Sequence, residues 1–276
     1  MNYKIVSDSA SNLFALDGVP FSAVPLKVIT TQAEYVDDPS LDVEAMVNEI
    51  KETKGRSGTS CPNTHDWLRA FDGGRQVFAV TITSSLSGSY NAACQAAAEY
   101  EETNPGAKVC VVDTLSAGPE MALIVEKLRE LIQSGLSFEA IREKIAAYKA
   151  STHLLFSLQS LTNLARNGRA NPAVAKLAGV LGIRIVGKAS DEGTLQPLHK
   201  CRGEKKALDT IAEEMEGMGF RGGKVRIAHC FNPDAAGQLK ARILAKSPKS
   251  QILIEACTAL CSFYAERGGL LVGFEG

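Results

Sequence analysis

Signature motifs of nucleotide and hydrolytic chemistry are missing from this 276-residue chain. It has no Walker A motif, no G-x-G-x-x-G, no H-E-x-x-H and no G-x-S-x-G. The stretch Gly55-Arg56-Ser57-Gly58-Thr59-Ser60 is glycine-rich but has neither the spacing nor the lysine of a phosphate loop. The 7 cysteines are odd in number and contain no C-x-x-C pair, which excludes the usual zinc-ribbon and thioredoxin patterns and leaves them as free thiols. The four histidines, His65, His153, His199 and His229, are scattered without ligand spacing, so no metal or other cofactor is expected. Excess charge of one sign is lacking too: 30 Lys+Arg face 31 Asp+Glu. That balance removes the electrostatic reason to expect nucleic acid or an anionic membrane as the main partner. No apolar run approaches the roughly 18 residues of a transmembrane helix. The start, Met1 to Asp8, is too polar for a signal peptide, so a cytoplasmic protein without stable membrane insertion is expected.

What is present is an alternation of short apolar runs and helical patterns. Tyr3–Ser7, Val77–Ile82 and Val109–Val112 read as buried strands. Ala23–Ile29 reads as an edge or bulged strand, because Pro25 interrupts it. Between them lie a helix capped by Asp42, an Ala-rich helix reaching about Tyr100, a helix opened by Pro119 and another capped by Ser137. Strand–helix alternation of this kind predicts a mainly parallel sheet between helices. The second half has strands at Leu154–Leu158, Val225–His229 and Ile252–Ala256, and helices over Glu204–Met218 and Ala235–Ala245. A hairpin is expected around Ser190–Gly193. The expectation is two α/β domains, residues 1–155 with the parallel sheet and residues 156–276 with a mixed sheet.

Three hydroxyl-rich loops are predicted at the carboxyl edge of the first sheet, where open α/β folds bind ligands. They are Asp8-Ser9-Ala10-Ser11, Thr59-Ser60-Cys61-Pro62 and Ser84-Ser85-Leu86-Ser87-Gly88-Ser89. Hydroxyls beside a helix start, with a glycine that lets a ligand approach the backbone, suit one anionic head group. The same residues also serve as ordinary caps and turns. A serine nucleophile needs a base and a strained elbow. No histidine stands near these serines in sequence, which favours binding over turnover. A hydrolase or phosphotransferase using Ser87 or Asp8 is the alternative, and a redox or regulatory binder using Cys61 is a third.

These loops carry a family resemblance. The matching segments include Val6-Ser7-Asp8-Ser9-Ala10-Ser11-Asn12-Leu13, Val24-Pro25-Leu26, Tyr35-Val36-Asp37, Thr59-Ser60-Cys61-Pro62 and Ser84 to Tyr90. They continue through Val112 to Ala117, Leu161 to Arg169, Lys200-Cys201-Arg202-Gly203 and the terminal Gly-rich strand. In order and spacing the chain resembles the DegV family, the bacterial fatty-acid-binding proteins that include the FakB-type carriers of fatty acid kinase. The resemblance implies that one long-chain fatty acid lies between the two domains and that the chain is not an enzyme. It implies a carboxylate held by Thr59 and Ser87, with Ser60 and Gly88 beside them and Arg169 at the mouth. Arg202 and Lys200 would lie near the head group, on a surface for the kinase or for phosphate. Lys205 and Lys206 would extend that basic face. At two positions the chain differs from the family. Asn167-Gly168-Arg169 replaces Gly-Gly-Arg, with Asn167 expected to tolerate a left-handed backbone. Tyr264 stands where FakB-type members have a histidine, and is expected to act as a neutral phenol donor. A 16-carbon chain would contribute roughly 10 kcal/mol gross on burial, provided its carboxylate is paired.

Overall fold

The computed structural model describes residues 2–52, 55–178 and 182–276, so Met1 of the first expected domain lies outside it. The first half contains β1 (Tyr3–Asp8), a 3-10 turn (Ser9–Ser11), β2 (Phe21–Val24), β3 (Lys27–Thr30), β4 (Glu34–Val36) and α1 (Val43–Glu52). It continues with β5 (Ser57–Ser60), α2 (Thr64–Phe71), β6 (Gln76–Thr81), α3 (Ser89–Thr103), β7 (Lys108–Asp113), α4 (Pro119–Gln133) and α5 (Phe138–Lys149). Then follow β8 (Thr152–Leu158), α6 (Thr162–Arg166), α7 (Pro172–Ala178), β9 (Ile183–Ala189), β10 (Leu195–Arg202) and α8 (Glu204–Gly217). The chain ends with β11 (Lys224–His229), α9 (Pro233–Lys246), β12 (Gln251–Ala256), α10 (Ala259–Ala265) and β13 (Leu270–Glu275).

The first sheet has the order β2-β1-β6-β7 and is parallel throughout. Both faces are buried, and the period-2 alternation sorts β6 between them. Phe78 and Val80 face the core under α4 and α5, while Val77 and Ala79 face the core under α2 and α3. The second sheet, β10-β9-β8-β13-β11-β12, is mixed: only β11 and β12 run parallel. The two-domain α/β architecture is therefore as expected. Because all of β8 belongs to the mixed sheet, the change of sheet falls before Thr152, a few residues ahead of the expected boundary.

A third, antiparallel sheet, β4-β3-β5, was not foreseen. The apolar run Ala23–Ile29 is not one strand. Val24 ends β2, the edge strand of the first sheet, and after Pro25-Leu26 the chain re-enters as β3 in the small sheet. Proline cannot donate to a ladder, so it marks the crossing.

Helix α4 joins the halves. It packs on β1 and β6 on one side and on β8, β11 and β13 on the other, and nine of its residues from Pro119 to Leu131 are buried. Gly273 of β13 makes this approach possible: a Cβ there would lie 2.4 Å from the backbone nitrogen of Glu120. Buried Arg226 on β11 pairs with Glu126 of α4 at 2.6 Å and with Glu255 of β12 at 2.5 Å. On the opposite flank, Thr83 Oγ1 donates to the Gly193 carbonyl at 2.9 Å, docking the β9–β10 hairpin tip on the loop after β6.

Candidate functional site

Between the sheets lies a cavity of about 310 Å³, at the lower end of the size of small-molecule sites. Its walls are mainly apolar: Leu26, Ile82 and Leu115 from the first half, Leu154, Phe156 and Leu158 from β8, and Leu260 and Leu271 near the C-terminus. Among the described residues, Arg169 is the one charged side chain in the lining, and no histidine, aspartate, glutamate or lysine joins it.

Polar groups gather in the same lining. Thr59 and Ser60 arrive on β5, followed by Cys61, and Ser87 and Gly88 stand at the N-terminal end of α3. Thr59 is a strand residue, paired opposite Val28 of β3, and not the loop residue expected. The polar stretch Ser57-Gly58-Thr59-Ser60 has no apolar alternation; it is a strand because β3 supplies its partner. The Thr59 hydroxyl and the Tyr264 phenol are 2.7 Å apart. If the phenol donates, the hydrogen of the Thr59 hydroxyl remains available to a ligand. Ser87 Oγ accepts from the Ser89 backbone at 3.3 Å, which leaves its own hydrogen free. The helix start behind it favours negative charge.

Arg169 sends Nε to the Leu86 carbonyl at 3.2 Å and Nη1 to the Asn167 carbonyl at 2.5 Å. The left-handed residue of its turn is Gly168, at φ 74°, whereas Asn167 has φ −97°. The expectation for Asn167 is corrected: the position that needs glycine still has it.

The Asp8-Ser9-Ala10-Ser11 loop does not join the site, so the three loops do not share one ligand-facing edge. Ser9 Oγ accepts from Leu26 N at 3.0 Å, and Ser11 Oγ donates to the Asp8 carbonyl at 3.1 Å. Asp8 is fully buried and accepts from Ser89 Oγ at 2.7 Å and Ile82 N at 2.9 Å. Desolvation pushes its pKa up to about 7. It is engaged with Ser89 and does not line the cavity with Ser87. Lys200 and Arg202 are exposed on β10 and also lie outside the lining. Through β9, Lys200 stands in register with Ile185 and so with the lining residue Leu158 of β8, and Arg202 is paired with Ile183. Lys205 and Lys206 are exposed, 4.0 Å and 3.8 Å from the carboxylates of Asp209 and Glu213.

A larger polar groove of about 1680 Å³ lies back to back with the cavity. Helices α6 and α10 divide the two: Ser262, Phe263 and Glu266 face the groove, while Cys261, Tyr264 and Ala265 face the cavity. Gly203 and Glu204, directly after Arg202, line the groove.

Two residues that sequence reasoning left without a role hold this arrangement. The Asp37 carboxylate accepts from Ala259 N at 2.7 Å and Leu260 N at 3.2 Å, and Asn12 Oδ1 accepts from Thr258 Oγ1 at 2.9 Å. Their only signal in the sequence was membership of the family-like segments.

A family model described as "Uncharacterised protein, DegV family" matches residues 2–275. The chain belongs to the DegV family. A DegV domain-containing protein of Streptococcus pneumoniae is 43% identical over 279 residues, covering 100% of this chain and 99% of the relative. Among solved structures, the Streptococcus pneumoniae Fatty Acid Kinase (Fak) B3 protein loaded with linoleic acid is similar with a TM-score of 0.98 and 43% identity, covering 100% of this chain and 99% of that one. A DegV family protein from Eubacterium eligens loaded with heptadecanoic acid matches with a TM-score of 0.97 and 42% identity, covering 99% of both chains. This DegV family member has no helix, among the described residues, long and apolar enough to cross a membrane.

Proposed function

We propose that this DegV protein is a carrier for one long-chain fatty acid, its tail in the apolar cavity and its carboxylate at Thr59 and Ser87. The observation that carries the reading is the lining itself: apolar walls, the Thr59 and Ser87 hydroxyls, and Arg169 as the one charged group among the described residues. Donors must meet a buried carboxylate, because an unpaired one is strongly disfavoured. Ser60 and Gly88 complete the head-group wall, Tyr264 supports Thr59, and Arg169 adds positive charge beside it. The fatty acids in the related structures support the same ligand class.

The reading is of a cytoplasmic binding protein and not of an enzyme; among the described residues no histidine or carboxylate lines the cavity as a base for Ser87. Presentation of the bound acid to a fatty acid kinase is part of the proposal, supported by the similarity to a protein of that name. Lys200 and Arg202, exposed beside the polar groove, are then the partner surface. Arg202→Glu should abolish phosphorylation of the bound acid while leaving its binding intact; equal loss of both would overturn this part.

The test of the head-group assignment compares oleic acid with oleyl alcohol on delipidated protein. The acid should bind at least tenfold more tightly, because the alcohol lacks the charged acceptor. Equal affinity would contradict a carboxylate site at Thr59 and Ser87.

A further inference from the structure

Helix α10 supplies four cavity-lining residues, Leu260, Cys261, Tyr264 and Ala265, yet it has no side-chain cap of its own. Its first turn is held from the other half of the chain. Buried Asp37 accepts the backbone N–H groups of Ala259 and Leu260, and Asn12 Oδ1 accepts from both the nitrogen and the hydroxyl of Thr258. A carboxylate at this end also opposes the partial positive charge of the helix start. The opposite flank of α10 buries Ala259 and Phe263 against Val28 and Met46.

The small sheet thus touches α10 twice. Val28 of β3 is paired with Tyr35 of β4 on one side and with Thr59 of β5 on the other. Asp37 follows directly after β4. One rung of this sheet therefore carries the hydroxyl that meets Tyr264, and the next residues carry the carboxylate that fixes the start of the helix bearing Tyr264. We propose that Asp37 is a positioning residue for the ligand site: by capping α10 it sets the register in which the Tyr264 phenol reaches Thr59. The inference rests on the fatty-acid reading above and adds to it a residue outside the cavity lining.

A double-mutant cycle on fatty-acid affinity tests it, with oleic acid as the probe and the full chain throughout. Binding of oleic acid to the unaltered protein is a separate arm, and its failure would refute the ligand reading and leave the cap untouched. Asp37→Ala should weaken binding by about tenfold, the scale of one or two lost hydrogen bonds. In a Tyr264→Phe background the same substitution should cost at least threefold less, because the phenol it positions is already gone. Asp37→Asn keeps one acceptor oxygen, so its loss should be intermediate and should overlap with Tyr264→Phe in the same way; it carries the test if Asp37→Ala does not fold. Ile211→Val, in the core beyond the mixed sheet, lowers stability without this contact and should leave affinity unchanged. Wild-type affinity in Asp37→Ala, or losses that multiply independently with Tyr264→Phe, would overturn the proposal.

Discussion

The Tyr264 phenol lies 2.7 Å from the Thr59 hydroxyl, although 205 positions separate the two residues in sequence. This contact is what the site makes of the histidine-to-tyrosine difference. Tyr264 reaches the proposed head group through Thr59. Tyr264→Phe removes only the hydroxyl and should cost about 1–2 kcal/mol of fatty-acid affinity. Calorimetric titration of the variant checks this; unchanged affinity would reduce Tyr264 to packing against Phe263.

Thr59 and Ser87 come from different elements, β5 and the start of α3, but share the proposed carboxylate as partner, so their losses should couple. Each Ala substitution should cost about 1–3 kcal/mol of affinity. The double variant, measured by competition with a fluorescent fatty acid, should lose more than either single variant. Retention of full affinity would place the carboxylate elsewhere.

Asp8 makes folding pH-dependent. Burial raises its pKa from 3.8 to about 7, so the folded state holds the proton more tightly than the unfolded chain. Its contribution is therefore fully present below about pH 4 and lost as pH rises to about 7. Asp8→Asn removes the titration. Whatever its absolute cost, the variant should gain on the wild type by up to roughly 4 kcal/mol across that interval. Urea unfolding of both proteins at several pH values reads the difference, and Glu120, also raised to about 7, cancels because both retain it. A pH-independent difference would remove Asp8 from the account.

Arg226 ties α4 to β11 and β12 through two carboxylates. Arg226→Met leaves Glu126 and Glu255 without their cation, and burial already pushes the Glu255 pKa up. The expected loss is about 3–5 kcal/mol. Adding Glu126→Gln and Glu255→Gln should restore at least half of it, read as the shift in urea midpoint. No recovery in the triple variant would mean that Arg226 contributes by shape alone.

The main sheets were legible because their inner strands bury both faces, as the continuous apolar run Val77-Phe78-Ala79-Val80 advertises. The small sheet was not. Pro25 splits a run that looks like one strand, and Ser57-Gly58-Thr59-Ser60 has no periodicity to mark it. Thr59, Ser87 and Arg169 were placed by the family resemblance, and the cavity lining contains all three. Lys200 and Arg202 came from the same resemblance, and on β10 they are exposed and outside the lining. Asp37 and Asn12 could not be read locally, since a cap supplied from more than 200 residues away leaves no spacing pattern.

The central claim is that the cavity holds a fatty acid. The direct measurement is native mass spectrometry of the purified protein, followed by denaturation, solvent extraction and identification of what is released. One long-chain fatty acid per chain is the predicted result, with loss of occupancy in the Thr59→Ala/Ser87→Ala variant. A protein that carries no lipid and takes up none when offered oleic acid would contradict the account.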